Sequence, residues 1–198
     1  MHPQAAFKVE DEGALLAHLA RHPFVTLGAQ AHGTLRVAHA PVIVRRTPEG
    51  LALDFHLARG NALAERLPGG FRAVAVSLAA DTYISPDWYE DADQVPTWNY
   101  VSVEAEGEVE ALDEVGLIAL LDALSAQEEA RLLPKRPWTR AKMSPGRFET
   151  MLRGIIGARL TVERLEGTTK LSQNKPEADR ASVILALGDH PIAGLMRG

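Results

Sequence analysis

Between positions 101 and 110 the chain alternates without a break, Val101, Val103, Ala105, Gly107 and Val109 against Ser102, Glu104, Glu106, Glu108 and Glu110. A period of two is what a strand needs when one face is dry and the other wet. The pattern predicts a strand over 101–109 with an acidic outer face. Five further β-rich runs follow the same logic: Phe24–Leu27, Leu35–Val44, Leu51–His56, Phe71–Leu78, and Ile155–Leu165 with Gly157 inside it. Ala31-His32-Gly33 and Thr47-Pro48-Glu49-Gly50 are turn signals between them.

Helical spacing occupies the gaps. Asp11 or Glu12 starts a helix carrying Leu15, Leu16 and Leu19, which ends near His22-Pro23. Asn61 caps a short helix bearing Leu63 and Leu67, stopped by Pro68-Gly69-Gly70. Asp113-Glu114 opens a helix with Leu117, Leu120, Leu121 and Leu124 on one stripe. Ser144-Pro145 reads as a cap with proline at the first helical position of a helix running to about Arg153. Asn174 to Glu177 starts a last helix through Leu187, followed by a short apolar tail. Six strands at hairpin spacing predict a mainly β fold, an antiparallel barrel or sandwich with helices around it. The helices do not alternate with strands as a doubly wound parallel sheet requires. The expected organisation is one domain over 1–198, with a helical extension from about residue 174.

One segment breaks the rhythm. Residues 83–100 hold all three Tyr and two of the three Trp, together with Pro86 and Pro96. Proline denies a helix interior and a central strand, so the five rings are expected on irregular backbone. Loops on a rigid scaffold are where binding groups concentrate, and aromatic walls suit flat ligands.

Composition adds exclusions. The 198 residues carry no cysteine, which removes disulfides, thiolate metal sites and a cysteine nucleophile. The start, MHPQAAFKVEDEG, lacks a basic lead and an apolar core, and no apolar run is membrane-length. A cytoplasmic protein is the expectation. The net charge of −5 is unfavourable for a general nucleic-acid surface. Residues 131–153 nevertheless carry Arg131, Lys135, Arg136, Arg140, Lys142, Arg147 and Arg153 against Glu149 alone. That segment is either a solvated face or an anion or DNA contact.

No Gly-rich phosphate loop and no His-Glu-x-x-His helix is present. His18 and His22 have metal-compatible spacing, but a surface helix bearing two histidines is the commoner meaning, and no metal site is expected. His39 and His56 lie within predicted strands. The second leads into Arg59-Gly60-Asn61, where a guanidinium and free backbone N–H groups at a helix start suit a phosphate, or form a plain capped turn. Lys170-Leu171-Ser172-Gln173-Asn174-Lys175-Pro176 gathers polar groups, either as a strand end followed by a cap and a helix or as partners for a ligand's carbonyl and ring-nitrogen edges.

Taken together, Tyr83-Ile84-Ser85-Pro86-Asp87-Trp88-Tyr89, Val95-Pro96-Thr97-Trp98-Asn99-Tyr100 and Lys170 to Asn174 with Asp179-Arg180 resemble the PaiB-type FMN-binding negative transcriptional regulators. His22-Pro23-Phe24, Ala38-His39-Ala40-Pro41, His56 to Asn61 and Met151 to Gly157 extend the likeness over nearly the whole chain. The resemblance implies a six-stranded split β-barrel of the FMN-binding type, related to pyridoxamine-phosphate oxidases and flavin reductases. It implies a homodimer with FMN at the interface. Arg59 and Asn61, following His56, would hold the phosphate, and His39 to Pro41 would border the flavin ring. Tyr83, Ser85, Trp98 and Asn99 would close the site from either subunit, with Lys170, Ser172, Gln173 and Asn174 as further contacts. Ala58-Arg59-Gly60 leaves one cation at the phosphate. Three functions follow as expectations: a flavin-binding regulator with DNA contact through 131–153, an FMN-dependent oxidoreductase, or a haem-binding barrel with His39 or His56 as ligand.

Overall fold

The structure, a computed structural model, describes residues 4–198; Met1, His2 and Pro3 of the N-terminal stretch read above lie outside the described residues. Among the described residues eight strands make one antiparallel sheet: β1 (Lys8–Val9), β2 (Phe24–Ala31), β3 (Thr34–Pro41), β4 (Ile43–Thr47), β5 (Gly50–Ala58), β6 (Phe71–Ile84), β7 (Thr97–Ala111) and β8 (Ile155–Lys170). Their order is β3-β2-β6-β7-β8-β5-β4, with β1 added to β8. Contact between β3 and β5 closes the sheet into a barrel. Val25, Leu27, Leu53, Phe55, Val103, Val109 and Leu160 fill its interior.

The strand count differs from the six expected. The run Leu35–Val44 is two strands, because Pro41 has no N–H for a ladder and Val42 turns its own N–H to Pro23 O at 2.9 Å. The two-residue β1 is too short to show a period. The β2–β3 turn is as read: His32 and Gly33 both have positive φ, 53° and 74°, the requirement of a two-residue hairpin whose twist matches its strands.

The aromatic segment needs correction. β6 and β7 pair through Thr82↔Asn99, Tyr83↔Trp98 and Ile84↔Thr97. Tyr83, Trp98 and Tyr100 are therefore strand residues, and only 85–96 is loop. Pro86 and Pro96 both fall outside the last pair, so neither removes a ladder hydrogen bond. The loop opens with a 3-10 turn, Pro86–Trp88, whose Asp87 N–H donates to Ser85 Oγ.

Among the described residues five α-helices surround the sheet: α1 (Glu12–Arg21), α2 (Glu114–Ala130), α3 (Arg147–Leu152), α4 (Glu177–Leu187) and α5 (Pro191–Arg197). Asp11 and Asp113 cap α1 and α2 by accepting from Ala14 N and Gly116 N, at 2.6 and 2.7 Å. The expected Ser144-Pro145 cap is not used; Gly146, at φ 75°, precedes α3, and only Gly adopts that conformation without cost. Asn61 does accept from Leu63 N at 2.9 Å, but the segment it opens is a 3-10 helix, Ala64–Gly69. α2 covers the outer faces of β4, β5 and β8 with Leu117, Leu120 and Leu124, joined by Ile43 and Leu152. α4 and α5 cover the far end of the β6–β7 hairpin, burying Val183, Ile192 and Met196 against Ile84, Tyr89 and Leu171. The tail read as a short apolar segment is thus a packed helix.

Candidate functional site

The residues singled out in the sequence fall into three groups, set by where their strands end. His56 lies on β5, and the chain then turns through Arg59 and Asn61 beside the start of β8, where Ala58 pairs with Ile155. His39 and Pro41 lie at the end of β3, beside β2. Tyr83, Ser85, Trp98, Asn99, Lys170 and Gln173 lie at the opposite end of β8, where Tyr100 pairs with Lys170. The whole length of β8 separates the first group from the third. One chain does not bring them together.

In the first group, Arg59 Nε donates to Arg153 O at 2.9 Å, and no described residue occupies its two terminal nitrogens. The cleft it shares with Arg153, of about 350 Å³, is also lined by Asp113, Glu114 and Glu149. Asn61 spends its carbonyl on the turn. His56 lies beneath α2 on a separate apolar cavity of about 420 Å³, walled by Leu121, Trp138, Phe148 and Met151, and its buried Nδ1 has no partner. In the second group, His39 is exposed, accepts or donates at Thr26 Oγ1 over 3.1 Å, and stacks on Phe24 with ring centres 6.2 Å apart.

In the third group, Tyr83 and Trp98 meet edge to face at 6.3 Å and are 42% and 53% exposed. Exposed rings of that size offer a flat ligand its walls. Asn99 faces the other way, as strand alternation dictates. It is fully buried, its Nδ2 donating to Ser172 Oγ at 3.0 Å. Gln173 turns its amide onto the backbone, accepting from Leu171 N at 2.7 Å and donating to Ala6 O at 3.0 Å. It ties the N-terminal segment to the end of β8. Trp88 and Tyr89 pack beneath α4 and α5. Asp179 fastens the same loop by accepting from Glu90 N and Asp91 N, at 2.9 and 3.2 Å.

Two other sequence features resolve into structure. His18 Nε2 is tied to Ser77 Oγ at 3.0 Å, and Ser77 Oγ donates to His22 O at 2.7 Å, so this pair braces α1 against β6. Three of the seven cations of the basic segment meet carboxylates; among the described residues Arg136, Lys142, Arg147 and Arg153 form no ion pair. Arg140 pairs with Asp122 at 3.1 Å, Lys135 with Glu129, and Arg131 with Glu128 at 3.5 Å. Lys142 donates to Pro137 O at 2.9 Å.

Burial is the largest cause lowering the pKa of His18, His22 and His56; neighbouring His22 acts further on His18, and Arg21 and Arg131 on His22. The unfolded chain therefore takes up protons first. Stability is complete above the ordinary histidine value of about 6.5 and declines as pH falls through the depressed folded values. We expect the urea midpoint to be flat between pH 8 and 7 and to fall below about pH 6.5, with a shallower fall in His56→Leu. Identical slopes for the two proteins would contradict the burial of His56.

What the residues present can hold fits a flavin in parts: exposed rings at one end of the barrel, free guanidinium nitrogens at the other, and an apolar outer face between. On that face Phe24, Leu35, Val37 and Leu78 are all more than half exposed. The pairs Val37↔Gly28↔Val74 and His39↔Thr26↔Val76 make it continuous across β3, β2 and β6.

Comparison with known proteins agrees. The Bacillus subtilis Protease synthase and sporulation protein PAI 2 is 28% identical over 178 residues, covering 90% of this chain and 84% of its own. A conserved hypothetical protein from Mycobacterium tuberculosis superposes with TM-score 0.62 at 15% identity, over 89% of this chain and 95% of its own. The FAD and haem binding protein from Mycobacterium smegmatis gives 0.57 at 17%, over 92% and 81%. These similarities establish the split-barrel fold. A sequence profile described as "Putative FMN-binding domain" matches residues 1–164, ending before α4 and α5. The chain belongs to this FMN-binding domain family.

Proposed function

We propose that two copies of the chain pair through the outer face of β3, β2 and β6 and hold FMN between them, as a flavin-dependent regulator. The carrying observation is the separation of the candidate residues. Arg59 and Trp98 stand at opposite ends of β8, and a two-fold axis on the apolar face sets one end beside the partner's other end. In this reading Arg59 and Asn61, with His56 nearby, take the phosphate. His39 and Pro41 border the ring, and Tyr83, Ser85 and Trp98 close the site from the second subunit, with Asn99 buried behind them on Ser172. Lys170 and Gln173 support that wall. When bound, the flavin supplies redox chemistry, and the protein supplies orientation and electrostatics. FMN rather than FAD is inferred from the family's description.

The regulatory part draws on the resemblance of the sequence motifs to the PaiB-type regulators. The net charge of −5, with Arg131, Lys135 and Arg140 already paired to carboxylates, counts against direct DNA contact, so the effect is inferred to pass through the redox state of the flavin. The same observation favours a second reading, an FMN-dependent oxidoreductase acting on a small molecule. No helix among the described residues is long and apolar enough to cross a membrane, consistent with a cytoplasmic site of action.

Leu78→Glu places a charge in the middle of the proposed interface. The expected result is a monomer by sedimentation that no longer retains FMN, against a yellow wild-type dimer. A colourless wild type that ignores added FMN would defeat the flavin reading. A Leu78→Glu dimer with flavin bound would defeat the interface. Bleaching of the bound flavin by NADH or NADPH separates an oxidoreductase from a regulator that only senses.

A further inference from the structure

β8 ends at Lys170, and the chain turns through Ser172 and Asn174 to Lys175 before α4 begins. Across from this turn lies the start of β7. Between them is a cavity of about 230 Å³ bordered by Thr97, Asn99, Ser172, Asn174 and Tyr89, with both lysines in its wall. Lys170 donates to Thr97 Oγ1 and stands 5.9 Å from the Phe7 ring; Lys175 donates to Gln94 Oε1 and stands 5.4 Å from the Tyr89 ring. Every partner is neutral. Among the described residues no carboxylate lines the cavity, and neither lysine forms an ion pair.

Several cations elsewhere in the chain are paired. Arg72, Arg140, Arg159 and Arg164 all meet carboxylates, in a protein with 26 acidic residues against 21 basic ones. Burial, then the neighbouring Lys175, lowers the pKa of Lys170. Two like charges sharing a partly desolvated cavity lack the counter-charge that would offset their burial. The hydroxyls of Thr97 and Ser172 and the Asn174 amide add short, rigid hydrogen-bonding groups. Ser172 itself sits at φ 57°, a left-handed conformation uncommon outside Gly and found at ligand sites.

We propose that this cleft binds a phosphate group, with Lys170 and Lys175 as its cations and the hydroxyl and amide groups of Thr97, Ser172 and Asn174 around it. The volume exceeds a lone tetrahedral ion, so the ligand class is a phosphate monoester whose organic part lies along Tyr89. The cleft is distinct from the Arg59 cleft, which contains three carboxylates, and its assignment does not depend on where a flavin ring sits.

The test uses the full chain, titrated calorimetrically with inorganic phosphate at constant ionic strength set by chloride. One equivalent is expected to bind at this cleft. Lys175→Met and Lys170→Met should each weaken it by about tenfold or more, as loss of a charge-assisted contact does. Lys175→Arg should retain most of the affinity, and in an Arg59→Met background, which removes the cation proposed for the flavin phosphate, the equivalent bound at this cleft should remain. Thermal melting establishes that each variant is folded. Absence of binding, or affinity untouched in both methionine variants, overturns the proposal. Repeating the titration with FMN or riboflavin already bound identifies the source of the group. Undiminished phosphate binding supports a second small molecule. Competition by FMN but not riboflavin supports the cleft as the seat of the flavin's own phosphate.

Discussion

Gly107→Ala is expected to cost about 3 kcal/mol or more, the upper range for forcing one carbon into a packed interior. Gly107 lies on the dry side of β7, where β7 and β8 shift register between Glu106 and Gly107. A Cβ at this position would stand 1.8 Å from Thr161 O and 2.9 Å from Thr161 C. Both are backbone atoms of a central strand, so neither can step aside without breaking the ladder that joins β7 to β8. At about 2–4 °C per kcal/mol for a chain of this size, the melting temperature should fall by roughly ten degrees. Gly194→Ala is the control. Its Cβ would meet nothing within 4 Å, in the middle of α5, so the same substitution is neutral or slightly stabilising there. Equal melting temperatures for wild type and Gly107→Ala would show that the register shift relaxes freely.

Gly107 also marks what was legible in the sequence. The alternation at 101–109 identified it as an inward position, and Val103, Ala105 and Val109 are indeed buried. Nothing in the pattern shows that a β8 carbonyl approaches it, because that contact is made by a strand some fifty residues later and by a bulge with no residue signature. The His32-Gly33 turn was legible, since positive φ demands residues of this kind. The true length of the β6–β7 hairpin was not: Pro86 and Pro96 argued against strand, yet both fall just beyond its last pair. The candidate site divides in the same way. Arg59, Trp98 and Asn99 stand out as residue types in context, but their placement at opposite ends of β8 is a property of topology. Lys175 stands inside a polar cluster visible in the sequence, but nothing local sets it apart there. Its meaning comes from Lys170 across a turn and from the absence of any carboxylate between them.

The second large effect is expected at Asp54, a residue with no motif around it. Its carboxylate is 3% exposed and accepts from Arg159 Nε and Nη2, at 2.7 and 2.8 Å, with Arg45 Nε 3.5 Å from Oδ2. These hydrogen bonds hold the Arg159 pKa above its ordinary value, so the guanidinium charge is present at every accessible pH. The two partners are unequal: the arginine side chain is 35% exposed and the aspartate 4%. Arg159→Met strands a buried carboxylate, with Arg45 too distant to replace both bonds, and should cost about 3 kcal/mol, the low end for breaking a buried pair. Asp54→Leu leaves two arginines whose stems reach solvent, so its cost should be smaller. The double variant should be no less stable than Asp54→Leu alone, because once the carboxylate is gone the guanidinium has nothing buried to compensate. The measurement is a double-mutant cycle in urea at pH 7. Costs that simply add, or an aspartate variant worse than the arginine one, would show that the pair acts through packing and not through the burial of its negative member.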